Sequence, residues 1–209
     1  MAVLRREEFD AIEFDAAFSG DHQAAAKRMS TLAVTGTQSD SMPRSEAFLR
    51  AGEQWLLADD PAAAASGFRL AIADGGPVFV DPRVPLARAL VQLGRHAEAH
   101  DLIGKLKAEG RSDPRACDLI AELLVDCSDL PGALDWATAG VELCLSTGQG
   151  DGVPSGSGAD GPGPAATTPA QGQDRDDDTE LRLLLRLRYR IRNDLGLPED
   201  SYDELLDDA

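Results

Sequence analysis

The 209-residue sequence predicts an all-α fold: a solenoid of helical hairpins, then a flexible linker, then a separate C-terminal helix that caps the stack. Three observations lead there. Apolar residues recur at i, i+3 and i+4 spacings through most of residues 6–147, the signature of one-sided helices. A similar phrase returns at a period near 34 residues. The one β-branched alternating run is the short Pro-Val-Phe-Val of residues 77–80. Apolar residues make up 43% of the chain but aromatics only 5%, so alanine supplies much of the core-forming material. Small side chains in that number favour close helix–helix contact over a deep pocket.

Taken in order, a degenerate first hairpin turns at Gly20–Asp21, with Ala25 as its marker. Phe9, Ile12, Met29 and Leu32 fall at its apolar positions, whereas Glu13 and Ala16 fit poorly. The next three phrases are LADDPAAAASGFRLAI, LGRHAEAHDLIGKL and CSDLPGALDWATAGVEL. They carry Ala64, Ala99 and Ala133 at intervals of 35 and 34 residues. A turn of Gly, Asp, Ser or Pro precedes each alanine, and an apolar stretch of helical period lies on either side. Asp60-Pro61 and Ser112-Asp113-Pro114 are helix starts, the acid or serine capping and the proline sitting in the first turn. A lone hairpin cannot bury its apolar face, so neighbouring hairpins must share one core.

These residues resemble the tetratricopeptide repeat, a 34-residue helix–turn–helix. With Ala64 at repeat position 20, Gly52, Trp55, Phe68 and Ala71 match the family's small, aromatic, large apolar and small positions. The unit of Ala99 supplies Ala87, Leu90 and Ile103 but departs at the large Leu106; that of Ala133 supplies Ala121, Leu124, Ala137 and Gly140. The resemblance implies a concave groove lined by first-helix positions 2, 5, 9 and 12. Its polar lining here is Glu46, Glu53, Arg88, Arg115, Asp118 and Glu122, with Glu7 and Asp10 from the degenerate copy. Family members that clamp a C-terminal carboxylate use Lys and Asn at such places, a set this chain lacks. The expected occupant is therefore a basic or neutral protein or peptide segment.

Residues 148–178 hold eight of the chain's 20 glycines and four prolines, the composition of a flexible linker with a reach of about 30 Å. Beyond it, in the 179–209 segment, RLLLRLRYRIR carries five arginines without an acid. Thr179 is the expected cap, and Gly196 and Pro198 the expected stop. Leu183, Leu184, Leu187, Ile191 and Leu195 share an arc, with Arg182, Arg186 and Arg190 as a ridge beside it. The expectation is that this helix docks on the repeats of its own chain, against the third hairpin or along the groove, its arginines meeting acids such as Asp118, Glu122 and Asp135; the alternative is an exposed basic helix that engages an acidic partner, nucleic acid included. The segment RYRIRNDLGLPEDSYDELLDD also resembles the ends of uncharacterised actinobacterial cytoplasmic repeat proteins, a likeness that implies no activity.

Composition narrows function further. Lys plus Arg number 20 against 37 acids, a net charge of −17. Such a field repels phosphate backbones and anionic membranes, so neither is an expected partner. The N-terminus is charged within five residues, and no apolar run approaches a membrane span. Cys117, Cys127 and Cys144 form no CxxC pair and read as buried thiols of a cytoplasmic protein. His96 and His100 lie four residues apart around Glu98, but the zinc-protease order places glutamate directly after the first histidine. His22 occupies the matching place in the degenerate copy. No catalytic residue, metal ligand or cofactor is assigned. The chain reads as a non-catalytic interaction module; the alternatives are a metal-dependent enzyme built on His96 and His100, and an assembly chaperone for a basic client. Oligomeric state is left open.

Overall fold

A computed structural model describes residues 3–110, 113–148 and 173–206. Among them all regular elements are helices, with isolated bridges joining Val3 to Thr37 and Ser39 to Met42. None of these helices is long and apolar enough to cross a membrane. The chain divides into two compact units, Met1–Glu109 and Gly110–Ala209. The first holds α1 (Arg6–Ser19), α2 (His22–Thr35), α3 (Arg44–Leu57), α4 (Pro61–Asp74), α5 (Arg83–Gln92) and α6 (His96–Glu109). The second holds α7 (Pro114–Asp126), α8 (Leu130–Gly148), α9 (Gln173–Asp194) and the short α10 (Ser201–Glu204). Within each unit, helices adjacent in sequence pack on one another.

One turn recurs at three hairpins. Asp59, Gly94 and Ser128 each adopt left-handed φ, at 57°, 72° and 61°. The next amide reaches back to the last helical turn: Asp60 to Trp55 O at 2.9 Å, Arg95 to Leu90 O at 2.8 Å, Asp129 to Leu124 O at 2.9 Å. That geometry satisfies carbonyls which the helix end leaves orphaned. Asp21, Asp60 and Asp129 then accept the amides of Ala24, Ala63 and Gly132 and so cap the second helices.

The marker alanines Ala25, Ala64, Ala99 and Ala133 are all buried. Close approach explains two of the glycines at the family's small positions. A Cβ at Gly52 would lie 2.5 Å from the Phe68 ring, and one at Gly140 would lie 2.8 Å from Leu184. In the degenerate first hairpin, Phe9, Ile12 and Met29 are buried and Leu32 partly so, while Ala16, expected to fit poorly, is also buried. Trp136 is core, whereas Trp55 is half-buried and donates its indole N–H to Ser30 Oγ at 3.1 Å. Cys117 and Cys144 are buried; Cys127, just past the end of α7, is only partly so.

The second unit departs from expectation in three ways. The expected linker, 148–178, lies outside the described residues over 149–172, but Gly148 ends α8 and residues 173–178 already belong to α9. Thr179 is thus an interior residue and not a cap. The stop is as expected: Gly196 takes a left-handed φ of 67°, and Leu197 N donates to Arg192 O at 3.0 Å.

The third departure concerns the buried face of α9. It comprises Leu184, Leu185, Leu187, Arg188 and Ile191, whereas Leu183 stays 47% exposed. This face packs on α8 and α7, where Leu184 and Leu185 join Val141 and Cys144 in one cluster. Arg182, Arg186 and Arg190 do not make the docking contact expected of them; all three are exposed. Arg188, only 4% exposed, makes it instead, and its acids are neither Asp118 nor Glu122. It bonds Asp200 Oδ2 at 2.5 Å and Asp203 Oδ1 at 3.3 Å, donates to Thr138 Oγ1 at 3.1 Å, and lies 4.6 Å from the Tyr202 ring centroid. The acidic tail folds back on the helix, and the arginines it neutralises are Arg188 and Arg192.

Candidate functional site

In the first unit a recess of about 310 Å³ opens beside α3. Arg6, Asp10 and Glu13 of α1, Glu46, Leu49, Arg50 and Glu53 of α3, and Phe79 with Val80 from the segment after α4 line it. Local chemistry builds each wall. Gly75 closes α4 in a left-handed conformation, φ 69°, and the chain then runs back over the start of α3. Ser45 Oγ donates to Pro77 O at 2.9 Å, and the Phe79 amide donates to Glu46 Oε2 at 3.0 Å. These two bonds pin the segment to the first turn of α3 and set Phe79, 72% exposed, at the rim.

Arg50 forms the floor. It is 8% exposed and donates to Glu13 through Nε and Nη2, at 2.8 and 2.5 Å, and to Asp10 through Nη2 at 2.6 Å. Two carboxylates on α1 thus consume the one buried cation of α3. Burial works against that charge, but the hydrogen bonds from Glu13 and Asp10 hold the guanidinium firmly protonated. Glu53, one turn further along α3, is left without a countercharge of its own. Glu53 is an exposed residue that lines the recess. Partial desolvation first, then repulsion from Glu13 and Glu46, push its pKa up to about 7 against the opposing pull of Arg50. The recess is therefore an acidic pocket with an aromatic rim and one carboxyl that titrates near neutrality, a place suited to a cationic side chain.

Two expected groove residues, Glu46 and Glu53, meet in this recess together with Asp10. Glu46 proves to be a buried structural acceptor, not an open contact. Arg88 lies half-buried on α5, and Glu7 is exposed on α1; neither lines the recess. Arg115, Asp118 and Glu122 lie on α7 in the other unit, where α9 occupies their neighbourhood: Arg115 Nε stands 3.7 Å from Glu180 Oε2. Desolvation, then Glu122 and Glu180, push Asp118 up to about 6.

Compared with family models, curated proteins and solved structures, the chain matches none.

The histidines are placed by the same geometry. His96 and His100 are exposed in the first half of α6, and Glu98 between them is taken by Arg95, with two contacts at 2.6 Å that pull its pKa down. His22 behaves differently from its counterpart His96: its Nδ1 lies 3.0 Å from Oε1 of the buried Gln54 and ties α2 to α3. Among the described residues no group of three His, Cys, Asp or Glu is arranged to hold a metal.

Sequence reasoning missed six of the nine recess residues, among them Glu13, Arg50 and Phe79. Glu13 carried a signal: an acid where the hairpin pattern calls for a small residue needs a buried cation nearby. Arg50 sits between Glu46 and Glu53 at i+4 and i−3, a spacing that reads equally well as a solvated helix face. Phe79 lies in a segment whose path over α3 has no local code.

Proposed function

We propose that this chain is a non-catalytic protein-interaction module of tetratricopeptide-like hairpins, stacked as a solenoid, with α9 as the cap over the α7–α8 hairpin. Its recess on α3 receives a basic side chain of a partner polypeptide. The observation that carries this reading is Glu53, a carboxyl crowded by Glu13 and Glu46 after Arg50 has been consumed by α1. An incoming guanidinium or ammonium would supply the missing charge, and its methylene stem would lie along Phe79 and Val80. Complementarity of this kind sets partner choice and on-rate more than raw affinity. A reducing, cytoplasmic setting is in keeping with three free cysteines.

The test is calorimetric titration with a short arginine-bearing peptide and with its citrulline counterpart, equal in shape but neutral. The arginine peptide should bind, and the citrulline peptide and the Glu53→Gln variant should bind at least tenfold more weakly. With Glu53 ionising near 7, affinity should rise about tenfold from pH 6 to pH 8 as the carboxylate forms. Equal binding of both peptides, or an unchanged Glu53→Gln variant, would remove the recess from consideration.

A further inference from the structure

The outer face of α9 and the outer face of α1 are each left uncovered, and their chemistries are opposite. Arg182, Arg186 and Arg190 follow one another at i, i+4 and i+8, so they form a single line along the helix. All three are exposed and make no ion pair among the described residues, as the exposed Arg5 and Arg69 also do not, whereas Arg28, Arg50, Arg83, Arg95, Arg115, Arg188 and Arg192 are paired. Leu183 and Tyr189 flank the line, 47% and 37% exposed. On α1, Glu7, Ala11, Phe14 and Phe18 fall on one line opposite the buried Phe9, Ile12 and Ala16, with the exposed Asp15 beside it. Phe14 is 73% exposed and Phe18 89%, the largest values for large hydrophobic side chains among the described residues. Two aromatic rings standing in water beside carboxylates form a surface that an arginine ridge fits, because guanidinium planes stack on such rings and pair with such acids.

We infer that this chain associates head to tail with a second copy of itself, the Phe14/Phe18 face of α1 in one molecule seating against the Arg182/Arg186/Arg190 ridge of α9 in the next. The inference is independent of the recess on α3. A free polyanion is the poorer occupant of the ridge, because the whole chain carries −17 and three arginines release few counterions. At about 0.15 M salt, charges further apart than about 8 Å are screened, so the net repulsion between copies fades while contacting pairs persist. The two faces differ, so the contact is heterologous and propagates from copy to copy unless the copies close into a ring. A single helix-on-helix patch is small, so the association is weak and reversible.

Sedimentation velocity tests it with two full-length variants, Phe14→Ser/Phe18→Ser and Arg182→Glu/Arg186→Glu/Arg190→Glu. These side chains are exposed in the folded chain, so circular dichroism should show unchanged helix for both. The unsubstituted chain should gain mass steadily between about 10 µM and about 1 mM. Each variant alone should stay monomeric, and Arg186→Glu alone should weaken association at least tenfold. An equimolar mixture of the two variants should form a dimer and stop there, because one retains only the ridge and the other only the aromatic face. A monomeric unsubstituted chain, a variant that associates as the unsubstituted chain does, or a mixture that stays monomeric would each overturn the inference. Ridge-dependent binding of a single-stranded oligonucleotide by a chain that never self-associates would overturn it too and would assign the ridge to nucleic acid.

Discussion

Each unit buries one arginine beside two carboxylates and an aromatic ring, and the two arrangements differ in where the acids come from. Arg50 takes Glu13 and Asp10 from a helix 37 and 40 residues upstream and lies 5.7 Å from the Phe9 ring. Arg188 takes Asp200 and Asp203 from 12 and 15 residues downstream and lies 4.6 Å from the Tyr202 ring. The first bridge ties two helices of a stack; the second folds a tail onto the helix it has just left. What remains after neutralisation is opposite in sign. The first unit keeps a surplus carboxyl, Glu53, at a concave site, and the second keeps surplus guanidinium groups on a convex helix face. The binding proposed for each unit starts from the charges left over once the internal pairs are made.

The comparison can be broken by removing each cation. Arg188→Met should have the largest effect, a loss of about 2–4 kcal/mol in denaturant unfolding, because it removes the hydrogen bonds to Asp200, Asp203 and Thr138 and leaves the Asp203 side chain, only 7% exposed, with Arg192 as its remaining partner. Arg50→Met should cost less, about 1–3 kcal/mol, since its Asp10 and Glu13 partners are 56% and 29% exposed and can be rehydrated. The reverse order would mean that the tail is not an integral part of its unit. Ala99→Leu should overpack the α5–α6 hairpin by about 1–3 kcal/mol, and a neutral result would show that the buried alanine does not set the helix spacing.

The smallest expected effect is a pH dependence of mixed sign in the second unit. Asp118, raised to about 6, holds its proton more tightly folded than unfolded. Stability should therefore rise as pH falls from about 6 toward the ordinary aspartate range. Asp200, lowered by its hydrogen bond to Arg188, works the other way. Its contribution persists above the ordinary aspartate range and is lost as pH falls through its depressed value. A melting curve against pH should show a shallow maximum in the acid range, and Asp118→Asn should flatten the rise while leaving the acid-side fall.

Turn residues and small residues made the hairpins legible, because Gly, Asp and Ser at helix ends and Ala or Gly at close approaches have local physical causes. Glu46 and Glu53 were legible as members of one helix face for the same reason. The buried face of α9 was not. Three consecutive leucines, Leu183 to Leu185, leave the arc ambiguous by one residue, and the choice is made by Arg188, whose burial depends on a return of the tail that no periodicity encodes. The recess was half legible: its acids follow from helix register, but Phe79 is delivered by two long-range hydrogen bonds from Ser45 and Glu46.

The most direct test of an acidic site left open by internal pairing is the titration of the Glu53 side-chain carboxyl carbon by NMR, with and without the arginine-bearing peptide. In the free chain its midpoint should lie near 7, well above an ordinary glutamate, and Glu13→Gln should bring it down by removing a repelling neighbour. Saturating arginine peptide should lower it further, because the bound cation favours the ionised form, while the citrulline peptide should leave it in place. A midpoint in the ordinary glutamate range, or one that the arginine peptide does not move, would contradict the account.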